Sequence, residues 1–293
     1  LTNSGTISSN GANNSVALSS TAVKNSGTIS SQGNNHIATT GATQNSGTIA
    51  AGRELKLTAT DIDNSNGTLN GQRVDLAADS LNNTNGKIQQ TGSQALALNA
   101  GTLNNSNGGL IGYEPLDMGS GSGSTDNTGS NTNTGTGTSS TPSTAIGGGT
   151  ASIVQPVPVV LADGIITVKN TLENNAGQIT ANGGIDLATT NGLTNHATLN
   201  LNKLNVSGGT VDNSSGTITS TQATIHTASI NNTSGKFGSS GNMDLTSNSL
   251  TNSKGSITAG GTLTAAVAGV VLNDDGTIAS NDTLNLTAAS IDN

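Results

Sequence analysis

Apolar residues recur along this chain in two settings. In the first, an apolar residue is followed two places later by Asn, as in Leu1/Asn3, Ile62/Asn64, Leu250/Asn252 and Ile291/Asn293. This pair occurs thirteen times, and only at Thr43/Asn45 is the leading residue not apolar. In the second, short stretches such as Gly67-Thr-Leu69 and Val74-Asp-Leu76 alternate apolar and polar, which predicts strands with one buried face. The Asn-to-Asn steps are 22, 20, 19, 19, 22, 69, 21, 18, 19, 20, 21 and 20 residues. A period near 20 marks a solenoid. No stretch sustains a helical apolar period.

A full unit reads apolar-x-Asn-x-x-Gly-x-apolar, then a turn, then apolar-x-apolar. Gly, Asn, Asp and Ser between the strands supply turns and left-handed backbone positions. Strands this short bury their apolar faces by stacking, each pairing in parallel with the next coil about 4.8 Å away. The expected fold is all-β: a parallel β-helix of about 12 coils, with one long insertion loop, extending roughly 58 Å. At each turn the Asn is expected to bond to backbone and to the Asn of the next coil. This is a structural ladder that includes Asn64, Asn83, Asn105, Asn174, Asn213, Asn232 and Asn252. One unit, Leu193-Thr-Asn-His196-Ala-Thr-Leu199, lacks the Gly, and local irregularity is expected there.

The 69-residue step is read as one coil plus an insertion, so that 1–293 is a single repeat segment and 113–163 projects from one coil. The insertion holds all four prolines and the only Tyr, and residues 119–150 are mostly Gly, Ser, Thr and Asn, the composition of a flexible linker. Excursions from a solenoid often carry recognition. Tyr113, Leu116 and Met118 are the candidate partner contacts.

Composition alone would point to disorder: 40 Gly, one Phe, no Trp and 31% hydrophobic residues. The low charge, 9%, and the phased aliphatics favour a narrow stacked core instead. The formal net charge is −8 and the nine Lys and Arg are scattered, which argues against nucleic-acid binding. No apolar run is long enough to span a membrane. There is no Cys, hence no disulfide or thiol chemistry. The chain has no signal peptide, begins and stops within the repeat, and reads as an excerpt of a longer protein.

The unit Leu-x-Asn-x-x-Gly-x-Ile…Gly-x-Leu-x-Leu resembles the haemagglutinin repeat of filamentous-haemagglutinin-type exoproteins of Gram-negative bacteria, over nearly the whole chain except 113–163. The resemblance implies a right-handed β-helix, secreted to the cell surface by an outer-membrane partner transporter (two-partner secretion). It also implies adhesion to a host-cell or bacterial-cell receptor or glycan, or else service as the stalk of a contact-dependent growth inhibition toxin-delivery protein.

Catalysis is not expected. β-Helix enzymes need clustered carboxylates with basic partners on one face. The outward column of the second strand, aligned as Ala17, His36, Lys56, Asp75, Ala97, Thr167, Asp186, Asn205, His226, Asp244, Thr264 and Asn285, separates its Asp residues. No catalytic, cofactor or metal site follows: the three His lie far apart, and Asp274-Asp275 alone offers too few oxygens for Ca²⁺. Sequons such as Asn13-Asn-Ser15, Asn82-Asn-Thr84 and Asn231-Asn-Thr233 are expected by chance in so Asn-rich a chain.

Overall fold

The computed structural model describes residues 1–113, 164–180 and 184–293. The chain divides into two units. Leu1–Pro115 with Val160–Asn293 holds every described strand, and Leu116–Val159 lies outside the described residues.

Among the described residues the structure is all-β without a helix: 33 short strands in one continuous sheet. Every pairing is parallel and joins a strand to its counterpart one coil away. The result is a β-solenoid of about 12 turns. A representative coil has three strands, Ser229–Asn231, Lys236–Ser239 and Met243–Ser247. Their inward residues Ile230, Phe237, Met243 and Leu245 are almost completely buried. The same positions in other coils hold mostly Ile, Leu and Val, so each column stacks apolar on apolar, as in Ile218–Phe237–Ile257. Each such side chain contributes about 1.5–3 kcal/mol on burial, which is how a chain with one Phe and no Trp sustains a core.

The register corrects the aligned outward column. Ala97 pairs with Ile165 rather than Thr167, and Ile165 with Asp186. Asp186 pairs with Lys203, whereas Asn205 continues from Ala188. His226 stands opposite Ser207 and Thr246, and Asp244 opposite Thr224. Three neighbouring columns had been merged into one. A slip of two residues keeps every side chain on its own face, so alternation alone cannot reveal it.

Two core positions break the apolar pattern: Thr43, which stacks between Val23 and Ile62 and is fully buried, and Asn35. Asn35 replaces the Val16 and Leu55 of the adjoining coils and is fully buried. Its Nδ2 donates long bonds to the Ile29 and Ala50 carbonyls (3.4 and 3.3 Å), while its Oδ1 is buried without a partner. Asn35→Leu is expected to raise stability by about 1–2 kcal/mol, since an orphaned buried acceptor is exchanged for apolar contact. Urea denaturation of the two chains measures this, and a destabilised variant would show that the amide is needed.

Candidate functional site: the asparagine spine and the outer faces

All thirteen repeat asparagines turn their side chains inward and form one unbroken file of amides. Asn3 donates to Asn25 at 2.7 Å, Asn25 to Asn45 at 2.8 Å and Asn45 to Asn64 at 2.8 Å. The file runs on through Asn83 and Asn105, each link 2.8 Å. It crosses the long step from Asn105 to Asn174 at 3.0 Å. It then passes through Asn195, Asn213, Asn232, Asn252, Asn273 and Asn293. Eight members, among them Asn64, Asn83, Asn105, Asn174, Asn213, Asn232 and Asn252, are fully buried.

The amide suits this place because all of its capacity is used. Asn64 accepts from Asn45, donates to Asn83 and donates to the carbonyls of Gly67 in its own turn and Lys87 in the next coil. A carboxylate would lack the donors, and an apolar side chain would strand the carbonyls.

Turn length varies around this fixed bond. The short turn Asn25-Ser-Gly27 and the long turn Asn64-Ser-Asn-Gly67 both deliver a carbonyl to the spine, at 3.1 and 3.2 Å. The extra residue in the long turn is left-handed: Asn66 has φ 61°, Ala176 57° and Lys254 57°. The Gly that follows is needed for room. A Cβ on Gly67 would lie inside van der Waals contact of the Asn45 carbonyl oxygen, and 2.7 Å from Asn64 Oδ1. In the unit lacking Gly, Asn195 bonds to Ala197 O at 3.1 Å and the spine continues. The irregularity there is small: the Asn174 bond to Thr198 O stretches to 3.5 Å, against 3.1 Å for the matching Asn64 bond.

The outer faces carry ionic pairs, most of them between consecutive coils. Glu54 lies 3.2 Å from His36 Nε2 and 3.6 Å from Arg73, and Arg73 lies 3.9 Å from Asp75. Lys56 stands in register between His36 and Asp75. A carboxylate–basic cluster therefore does form on one face. The sequence reading missed it because only the residue between each apolar pair was tracked. Glu54 and Arg73 sit just before Leu55 and Val74, and that outward position was the available signal. Both carboxylates lean on Arg73, which makes the cluster a network of surface pairs, each worth roughly 0.2–1 kcal/mol. Similar links join Lys203 to Asp186 at 3.8 Å and His226 to Asp244 at 4.0 Å. Among the described residues, no three His, Asp or Glu converge to hold a metal.

Among the described residues, Asp212 is the one group with a shifted titration. Burial pushes its carboxyl up, but the Ser214 hydroxyl and amide and the His196 ring, 3.4 Å away, together hold it below the ordinary carboxylate value. Its stabilising effect is thus present above its unfolded value, about 3.9, and is lost as pH falls through the lower folded value. Asp212→Asn is expected to melt less steeply with acid below about pH 4 than the parent. Parallel acid melting profiles would refute this.

The sequons also have structural duties. Asn82 donates to Asp63 and Ser65, and Asn231 to Asp212. Their carbonyls accept from Thr84 and Thr233. Two shallow grooves mark the third-strand face, one beside His36 and Lys56, the other beside His226 and Asn248. Tyr113 ends the strand Leu110–Tyr113; its side chain, and all of Leu116 and Met118, lie outside the described residues. Among the described residues no helix is long and apolar enough to cross a membrane.

Stacked parallel coils around an internal amide file define a β-solenoid repeat protein. Residues 198–267 and 258–293 match the family model of the haemagglutinin repeat. Over residues 198–293 the chain is therefore similar to the haemagglutinin repeat of filamentous-haemagglutinin-type proteins. No curated protein and no solved structure matches it.

Proposed function

We propose that this segment is part of a secreted bacterial surface adhesin, exported through an outer-membrane partner transporter, whose coils display binding surfaces to other cells. The supporting observation is the unbroken spine. It devotes the recurring Asn of every unit to holding the coil and leaves the outer faces and residues 113–163 out of that task. Recognition is assigned to the insertion, with Tyr113, Leu116 and Met118 as contacts.

The test compares the full 293-residue chain with one lacking 113–163, using circular dichroism, melting and binding to cells. The expected result is unchanged β-structure and melting with lost binding. Unchanged binding would move recognition to the outer faces. Absence of binding by the full chain would overturn the adhesive reading in favour of a stalk that carries a distal toxin.

A further inference from the structure

Asparagine followed by glycine is the sequence most open to deamidation, because the small Gly lets its backbone nitrogen reach the Asn side-chain carbon. Six such steps lie among the described residues: Asn10-Gly11, Asn66-Gly67, Asn70-Gly71, Asn85-Gly86, Asn107-Gly108 and Asn191-Gly192. A seventh, Asn182-Gly183, lies outside them.

The fold blocks five of the six. The Gly67, Gly86 and Gly108 amides, the attacking groups, donate to the Asn64, Asn83 and Ala176 carbonyls at 3.0, 3.1 and 2.7 Å. Asn70 and Gly71 lie inside the strand Thr68–Asn82, paired on both sides. Gly192 opens a strand paired with Thr210, and the Asn191 side chain donates to Asn170 at 3.2 Å. Asn10 differs in each respect. It is exposed and lies between the strands Thr6–Ser9 and Val16–Ser20, and the Gly11 amide has no partner among the described residues. The turn there is closed only past it, by Asn14 N donating to Gly11 O at 2.8 Å.

We propose that Asn10 is a site of spontaneous modification in the folded chain, converting to aspartate and isoaspartate. The Gly11 nitrogen attacks Asn10 Cγ and forms a C–N bond. The Gly11 proton and the side-chain amide leave together as ammonia, giving a cyclic succinimide. Water then opens the ring at either carbonyl. The product places a new negative charge, and in the isoaspartyl form an extra backbone methylene, in a turn that contributes nothing to the spine. The coil stays intact.

The experiment is peptide mapping by mass spectrometry of the folded chain incubated at mildly alkaline pH, alongside the chain in denaturant and an Asn10→Gln variant. The expected result is that Asn10 reacts first in the folded chain. Asn66, Asn85 and Asn107 should be at least about a hundredfold slower, because a bonded amide reacts only after its coil opens. In denaturant all should react alike. Asn10→Gln should remove the early product without changing the melting temperature. Comparable early modification at Asn66, Asn85, Asn107 or Asn191 would overturn the assignment. So would an Asn10 that survives in the folded chain after the denatured chain has reacted.

Discussion

Asn213→Asp is expected to lower the stability of the surrounding coils by about 3–5 kcal/mol at neutral pH, the cost of an uncompensated buried charge. Asn213 accepts from Asn195 and donates to Asn232 Oδ1, both at 2.7 Å, and to the Lys236 carbonyl at 3.0 Å. Aspartate keeps the first bond and places an anionic oxygen against two acceptors. Burial raises the folded pKa of that carboxyl, so the deficit is full above the raised value. It shrinks as pH falls toward the unfolded value of about 3.9, where the carboxyl is protonated and regains a donor. Asn213→Ala should cost about 1–3 kcal/mol for each group left unpaired and show no such pH dependence. Repeat arrays lose strict two-state behaviour, so amide hydrogen exchange is the better measurement. Protection should fall in the coils on either side of residue 213. An aspartate variant with parental exchange at neutral pH would refute the role assigned to the spine.

Gly255→Ala should destabilise by about 1–3 kcal/mol or more, whereas Lys254→Gly should stabilise by up to about 1 kcal/mol. The two residues are neighbours, and the usual reading of such a turn assigns backbone freedom to its glycine. Here Lys254 holds the left-handed conformation. A Cβ on Gly255 would meet Asn252 Oδ1 at 2.6 Å and Asn232 Nδ2 at 3.0 Å. Room beside the spine, not a positive φ, is what excludes a side chain at 255. Thermal melting of the two single variants decides it. A tolerated alanine at 255 together with a costly glycine at 254 would reverse the assignment.

The fold class was legible because two periods coincide, alternation within each strand and the step near 20 between units. Three things were not legible, each for a physical reason. Alternation is blind to a two-residue slip, so Thr167, Asn205 and His226 were set in the wrong column. The ionic pairs His36–Glu54 and Glu54–Arg73 join residues 18 or more apart and depend on that register. The orphaned Asn35 looks from sequence like any strand-edge polar residue, and only stacking between Val16 and Leu55 puts it in the core. The turn residues Gly, Asn, Asp and Ser are expected from sequence to supply left-handed backbone, whereas Gly67 and Gly255 are there for space.

The spine is indifferent to how much chain lies between its members. Steps of 18, 22 and 69 residues close with bonds of 2.7, 2.7 and 3.0 Å. It therefore keeps count in turns, not residues. A stretch gained or lost in evolution is neutral to the core whenever its two ends return an amide to the file. The same stretch is costly when it shifts the next Asn by a fraction of a turn. The lengths of the excursions are free to drift, while the number of rungs can change only by whole units.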